Sequence, residues 1–454
     1  MKPGRMRPDK QFDLRPSTAE SASGKLGGLG LLLAQPRFRQ LFAVRIAGQT
    51  SDGIFQVALA SYLLFSPERQ PDAASIAAVL AAVLLPFSVL GPFAGVFLDR
   101  WSRRQVLVLA NLARTVPVLL TGALIAAEVG DLALFSTALA AFSINRFLLA
   151  GLSAGLPHVV EPRQLVLANS IVPTTGTLGF LIGLGGASAL RAAPSSWLPT
   201  DLPADVGLAL LAAGGFGMAA ALASRIPRDL LGPDVKPDQP RLTDALGHVG
   251  RGLAAGLRHL RERPAAAWAL MAIGAQRFFY GLSTVATILL YRNYFHDPAD
   301  TDAGLAGLSV AVLVSGVGFV AAAVITPAAT RRWSPRSWIV GLLVMAAVVE
   351  AFPGAFYTVP TLLVAAFWLG ISAQGVKICV DTLVQAHVDD VFRGRAFALY
   401  DVVFNVVFVA AAAVGAVVIP VDGKSYALVA AISLGYAATA VTYLLATRPG
   451  STVS

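Results

Sequence analysis

Arg45, Gln49, Asp52 and Gln56 follow one another at spacings of four, three and four, so a helix would carry one base, one acid and two amides on a single face. Such a stripe can bind and release a proton at a carboxylate, supply a counter-charge and offer hydrogen bonds to a solute. Asp52 is the proton-site candidate, with a structural alternative in which Arg45, Arg146 or Arg277 neutralises it. Asn145-Arg146 and Gln276-Arg277 also interrupt apolar runs, and with Arg45, Gln49 and Gln56 they are candidates for the wall of a solute cavity. Lys377 and Asp381 stand four apart and read as a structural ion pair. Arg114 is expected to snorkel toward the cytoplasmic face. The five histidines fall in loops or near the ends of apolar runs. No nucleophile–base pair, zinc-ligand spacing, phosphate loop or dinucleotide fingerprint is present, so neither an enzyme nor a metal or organic cofactor is indicated.

The elements that must hold these residues are set by hydropathy. The 454 residues are 56% hydrophobic and 13% charged, against about 25% charged in soluble domains. The chain is therefore solvated largely by lipid. Runs of spanning length lie near 39–65, 73–98, 105–127, 131–156, 166–190 and 205–225. A second set lies near 265–294, 303–329, 337–358, 360–384, 396–419 and 426–446. A polar stripe inside such spans faces a bundle interior or a water-filled cavity, because lipid penalises it. The net charge of +9 reflects membrane topology and not nucleic acid. Most of the Lys and Arg fall in the tails and in every second loop, with only Arg69, Arg191, Arg292 and Lys424 on the other side. That bias places both termini in the cytoplasm. The single cysteine, Cys379, excludes an internal disulfide.

The expected organisation is a disordered basic cytoplasmic tail over 1–36, six helices over 37–225, a cytoplasmic linker over 226–264, six helices over 265–446 and a short tail over 447–454. The apolar stretch 26–34 within the first tail is expected at the membrane interface. In the linker, Leu242, Leu246, Val249, Leu253, Leu257 and Leu260 recur at helical spacing with Arg251, Arg258 and Arg261 mostly off that stripe. The pattern predicts an amphipathic surface helix.

One fixed offset of 232 residues relates the two sets of spans. It pairs Arg45 with Arg277, Tyr62 with Tyr294, Arg100-Trp101-Ser102 with Arg332-Trp333-Ser334, Arg104 with Arg336, and Arg163 with Arg395. The fold expected is an all-α polytopic membrane protein of twelve transmembrane helices in two six-helix pseudo-repeats.

Between the second and third spans lies Gly95-Val-Phe-Leu-Asp99-Arg100-Trp101-Ser102-Arg103-Arg104, a dense knot of charge that belongs at a membrane surface. G-x-x-x-D-R-x-x-R-R after a second apolar span resembles the signature loop of the major facilitator superfamily of transporters. In the second half Arg331 stands for Asp99 and Pro327 for Gly95, so the first half keeps the fuller form. Gln35-Pro36-Arg37-Phe38-Arg39 with Gly48-Gln49-Thr-Ser51-Asp52 is similar to the opening of the macrolide-efflux-like branch of drug:proton antiporters. So are Glu161-Pro162-Arg163-Gln164-Leu165 through Ala168-Asn169-Ser170, and Val380-Asp381-Thr382-Leu383-Val384-Gln385 with Arg393-Gly394-Arg395. The chain departs from that branch in two places: Gly176-Thr-Leu-Gly179-Phe180-Leu-Ile-Gly183 lacks the family's Gly-Pro, and Gly151 comes one residue late after Arg146.

The resemblance implies two parallel six-helix halves around one cavity, working by alternating access in the cell membrane as a monomer. It implies proton-coupled efflux of a hydrophobic or amphipathic small molecule, with the proton gradient in place of a cofactor. It also implies a conformational latch of Gly95, Asp99, Arg100, Arg103, Arg104 and Arg395, in which Asp99 docks near the start of the eleventh span (395–397). The rivals are a lipid or lysolipid flippase, a nutrient importer and, from another class, a non-transporting scaffold or sensor.

Overall fold

A computed structural model describes residues 30–65, 73–89, 93, 101–161, 164–192, 203–232, 242–297, 299–388 and 390–448. Among these residues the long elements are all helical. The first six are α1 (Pro36–Phe65), α2 (Ala73–Val89), α3 (Arg103–Ala126), α4 (Asp131–Gly155), α5 (Leu165–Arg191) and α6 (Ala204–Ser224). The linker helix is α7 (Leu242–Arg261). The last six are α8 (Pro264–Leu289), α9 (Thr301–Ala329), α10 (Pro335–Ala351), α11 (Val359–His387), α12 (Asp390–Val418) and α13 (Tyr426–Ala446).

Sequence chemistry sets several of the boundaries. Asp300, Ser334 and Ser425 cap α9, α10 and α13, each side chain accepting a backbone N–H three residues on. α10 ends at Ala351, earlier than expected, because a 3-10 turn at Pro353–Phe356 and a left-handed Tyr357 follow. α8 ends at Leu289 and passes into a π-helical turn, Leu290–Tyr294, that buries Arg292. Nine helices among the described residues are long and apolar enough to cross a membrane on length and composition alone. α1, α2 and α8 are outside that set: α1 and α8 carry the Arg45 stripe and Gln276-Arg277, and α2 is described over only 17 residues. Side chains such as Leu132 (82% exposed) and Val417 (86% exposed) turn outward, as lipid contact requires.

The packing repeats. α1 lies against α5 and α6, and α3 against α6; six spans later α8 lies against α12 and α13, and α10 against α13. The halves meet along α2–α12 and α5–α9. Second exchanges with eighth and fifth with eleventh under the repeat, so the two seams are equivalents of each other.

Glycine decides how close α1 and α5 come. A Cβ at Gly53 would strike the Phe180 carbonyl, and one at Gly183 would strike the Thr50 carbonyl. Backbone against backbone leaves no room for a side chain, and small residues at membrane-helix interfaces serve this end.

Arg104 and Arg336, paired by the sequence offset, do the same work. Arg104 enters α3 and donates to the carbonyls of Ser224 (2.7 Å) and Ile226 (3.3 Å) at the end of α6. Arg336 enters α10 and donates to the Leu444 carbonyl (2.6 Å) and to Thr447 Oγ1 (2.7 Å) at the end of α13. A cation at a helix C-terminus satisfies orphan carbonyls and opposes the helix dipole. Arg104→Ala and Arg336→Ala should each cost about 1–2 kcal/mol, read as a lower melting temperature in detergent; an unchanged melting temperature would remove the capping role.

Two stretches expected at the cytoplasmic surface are described in part, and the linker stretch forms the expected amphipathic helix. The stretch 26–34 is described only from residue 30, where residues 30–33 form a helical turn whose Leu32 is buried among Phe38, Leu41 and Leu107. Leu32 thus joins the core of the first half, while Leu31 beside it is 64% exposed. Among the residues of α7 whose side chains are described, Gly252, Gly256, His259 and Leu260 are buried; of the predicted apolar stripe Leu260 is buried, Val249 and Leu253 are half-buried and Leu257 is exposed. The helix lies against α12 and α8, with Gly252 and Gly256 covered and Gly247 and Gly250 exposed.

Candidate functional site

The stripe on α1 divides. Asp52 points into the first half, where it forms an ion pair with Arg114 of α3 and accepts a hydrogen bond from Gln49 Nε2 at 3.0 Å. The Arg114 guanidinium also lies over the Phe216 ring of α6, 3.9 Å from its centroid. The pair is sealed, with Asp52 3% and Arg114 0% exposed. Arg114 therefore does not snorkel. It stands eleven residues into α3, about 16 Å from the helix start, beyond the reach of its own side chain to the surface, so a buried acid must neutralise it. Nor is Asp52 paired with Arg45, Arg146 or Arg277. Arg45 instead sits in the notch left by Gly176 of α5. Gln56 alone of the four reaches the central cavity.

That cavity measures about 370 Å³ and lies in the seam between halves, toward the ends of the helices remote from α7. Val57, Leu80, Phe180 and Leu184 of the first half face Ile288, Leu305, Leu308, Val312 and Leu369 of the second. Polar groups are few: Gln56, the Tyr280 hydroxyl 3.1 Å from Ser315 Oγ, and hydroxyls at 283, 284, 287 and 309. Such a wall accepts an apolar solute and orients it with a handful of hydrogen bonds.

Contacts across the seam lie on both sides of the cavity. On the linker-remote side Ser188 of α5 donates to Ser309 of α9 at 2.7 Å, and Arg191 bridges to Asp302 at 2.9 Å. Arg191 also pairs with Asp205 at the start of α6. Deeper toward the linker side Arg146 of α4 meets Asp401 of α12 at 3.2 Å. Asp401 is 43% exposed there, so water reaches this bridge.

Arg277 lies over rings of α12, its Cζ 3.9 Å from the Phe404 centroid and 4.7 Å from that of Phe408, with Tyr280 at 5.5 Å. Its Nε is buried without a hydrogen-bond partner, as are both amide atoms of the fully buried Gln276 and Oδ1 of Asn145. Lys377 Nζ donates to Asp381 at 2.8 Å. Gly95, Asp99 and Arg100 lie outside the described residues, as does the side chain of Arg395. Arg103 and Arg104 are described: Arg103 donates to the Leu231 carbonyl at 3.1 Å and Arg104 to the carbonyls closing α6. Both thus engage backbone at the end of the first half and the start of the linker.

Four acids went unread in the sequence, one of them Asp205, which pairs with Arg191. Glu350, 6% exposed on α10, accepts a hydrogen bond from the cavity residue Ser283. Asp401 and Asp302 supply the second-half ends of the bridges across the seam. Asp401 was legible as a lone acid amid the eleventh apolar run; Glu350 and Asp302 sit near span ends, where an acid in water looks the same.

Comparison with known proteins agrees with this architecture. The Major Facilitator Superfamily matches residues 41–331. An uncharacterized transporter of that type from Mycobacterium tuberculosis, Rv0037c, is 35% identical over 423 residues, covering 92% of this chain and 93% of its own. YfiS of Bacillus subtilis, also an uncharacterized transporter of that type, is 25% identical over 381 residues, covering 80% and 84%. Among solved structures, a mutant of the nucleoside transporter NupG superposes with a TM-score of 0.69 at 14% identity, over 90% of this chain and 99% of the other. A bacterial homolog of the human lysosomal transporter Spinster, inward-facing and unoccupied, gives 0.58 at 14% identity, over 90% and 95%. The chain belongs to the major facilitator superfamily, a family of membrane transporters and not of enzymes.

Proposed function

We propose that this transporter exports a hydrophobic or amphipathic small molecule from the cytoplasm, driven by protons moving inward. The apolar cavity in the seam supports the reading: a solute bound there is enclosed by both halves and passes from one side to the other as they rock. The chain works as a monomer in the cell membrane, with both termini in the cytoplasm. Each charge moved through 100 mV supplies about 2.3 kcal/mol. Asp52 is the proton site, and its chemistry is a competition: Arg114 or a proton satisfies the carboxylate, so protonation frees the α1–α3 contact to change. Asp99 and Arg395 latch the cytoplasmic side, with Gly95 giving close approach and Arg100 adding charge, while Arg103 and Arg104 hold that loop to the end of α6.

The test is proton flux in liposomes loaded with a pH-sensitive dye, challenged with lipophilic cations, macrolides and lysolipids. Flux that depends on an added compound is expected in the wild type and should fall at least tenfold in Asp52→Asn. Flux that survives the substitution would remove Asp52 from the mechanism. Accumulation of a polar solute without any such flux would favour import.

A further inference from the structure

The fixed charges inside the bundle do not cancel. Asp52 neutralises Arg114, Asp401 neutralises Arg146 and Asp381 neutralises Lys377. Neither Arg45 nor Arg277 has an acid within ion-pair distance among the described residues; Arg45 lies in the Gly176 notch, whereas Arg277 lies over ring faces beside the cavity residue Tyr280. Glu350 does not balance it: that carboxyl is bound by Ser283, and a carboxyl can take up a proton whereas an arginine does not give one up. An arginine held in a bundle interior without a counter-ion is costly unless an anion comes to it.

We infer that Arg277 is the head-group site for an anionic amphiphile, a single carboxylate or phosphate on an apolar chain, whose tail occupies the seam cavity. This rests on the export reading and narrows its substrate class. Contacts with the rings of Phe404, Phe408 and Tyr280 hold the guanidinium in place, and its fork can meet a carboxylate or phosphate in bidentate fashion. Nε, buried and unpartnered, is one donor of that edge. Tyr280, one turn along α8, touches both regions: its ring neighbours Arg277 and its hydroxyl meets Ser315 in the cavity wall. Head and tail sites are thus adjacent. The unpartnered amide of Gln276 lies next in the chain and can donate to the same head group after a rotamer change.

The test uses the full chain in nanodiscs of zwitterionic lipid, with tritiated laurate and tritiated dodecyl phosphate as probes. Dodecyl glucoside and dodecyltrimethylammonium serve as neutral and cationic competitors of the same tail length. Wild type should bind both anions at least tenfold more tightly than the glucoside. Arg277→Gln should abolish that preference while leaving glucoside binding within twofold. Arg277→Lys, which keeps the charge but loses the fork, should retain part of it, and confirms that loss in the glutamine variant is not a loss of folding. The tighter of the two anions tells a free fatty acid from a phosphate-bearing lipid. Equal binding of all three head groups, or tighter binding of the cation, would overturn the anion site and leave the export reading standing. Loss of glucoside binding along with the anions would make Arg277 a packing residue and overturn the proposal. No binding of any amphiphile would overturn both readings.

Discussion

Arg114→Ala should destabilise the protein by about 3–5 kcal/mol, the usual consequence of removing one partner from a buried ion pair. Asp52 is 3% exposed and has only Gln49 besides Arg114 to satisfy it, so its charge would stand almost alone amid α1, α3 and α6. The alanine would also vacate the face of Phe216, adding a cavity. The double variant Asp52→Leu with Arg114→Met separates these causes. Two buried charges cost more to desolvate than their attraction returns, so an apolar pair of similar volume should recover most of the stability. Thermal unfolding of the two singles and the double in detergent reads the difference. A double variant as unstable as Arg114→Ala would mean that shape, and not charge, holds this site. If Asp52 is the proton site, the stable double should be inert in transport; an active one would leave the pair a purely structural device.

Cysteines at 188 and 309 should cross-link in full under mild oxidation and stop transport, with recovery on reduction. The serine oxygens are 2.7 Å apart across the α5–α9 seam, close enough for sulfurs to bond with small adjustment of the side chains. The native thiol, Cys379, is buried and will not compete. Alternating access requires this seam to open, so a covalent tie should remove at least nine-tenths of the compound-dependent proton flux. Cleavage at a protease site placed between 233 and 241 reports the cross-link, since bonded halves stay together on a non-reducing gel. Halves that separate despite oxidation would show that the seam is parted in the membrane. Full cross-linking with undiminished flux would overturn the role of this seam in transport.

Most of the helix positions were legible because a lipid solvent imposes one demand on every span: about twenty apolar residues with each backbone group bonded inside the helix. The repeat was legible too, and its spatial meaning is sharper than the letters. The offset of 232 that pairs Arg45 with Arg277 also pairs Gly176 with Phe408. Arg45 rests on Gly176 and Arg277 over Phe408. One arginine-to-fifth-helix contact is therefore built twice, with a notch in one half and an aromatic floor in the other. Both versions leave Nε buried without a hydrogen-bond partner, and only the second holds its cation over aromatic rings.

The site was less legible, because periodicity gives the face of a helix and not the depth or identity of what lies opposite. The α1 stripe looked like one wall of one cavity. Arg45 turns to α5, Asp52 to α3 and α6, and Gln56 to the seam, since side chains spread over three turns of a helix meet three different neighbours. The sequence by itself determined the solvent, the span positions, the two-fold repeat and the scarcity of intramembrane charge, all of which follow from residue type and spacing along the chain. The tertiary structure alone decided which charges cancel. Arg114 finds Asp52 from 62 residues away and Arg146 finds Asp401 from 255. Pairing at such separations depends on which helices pack together, and that is settled by glycine contacts such as Gly53 and Gly183 and by the meeting of the two halves.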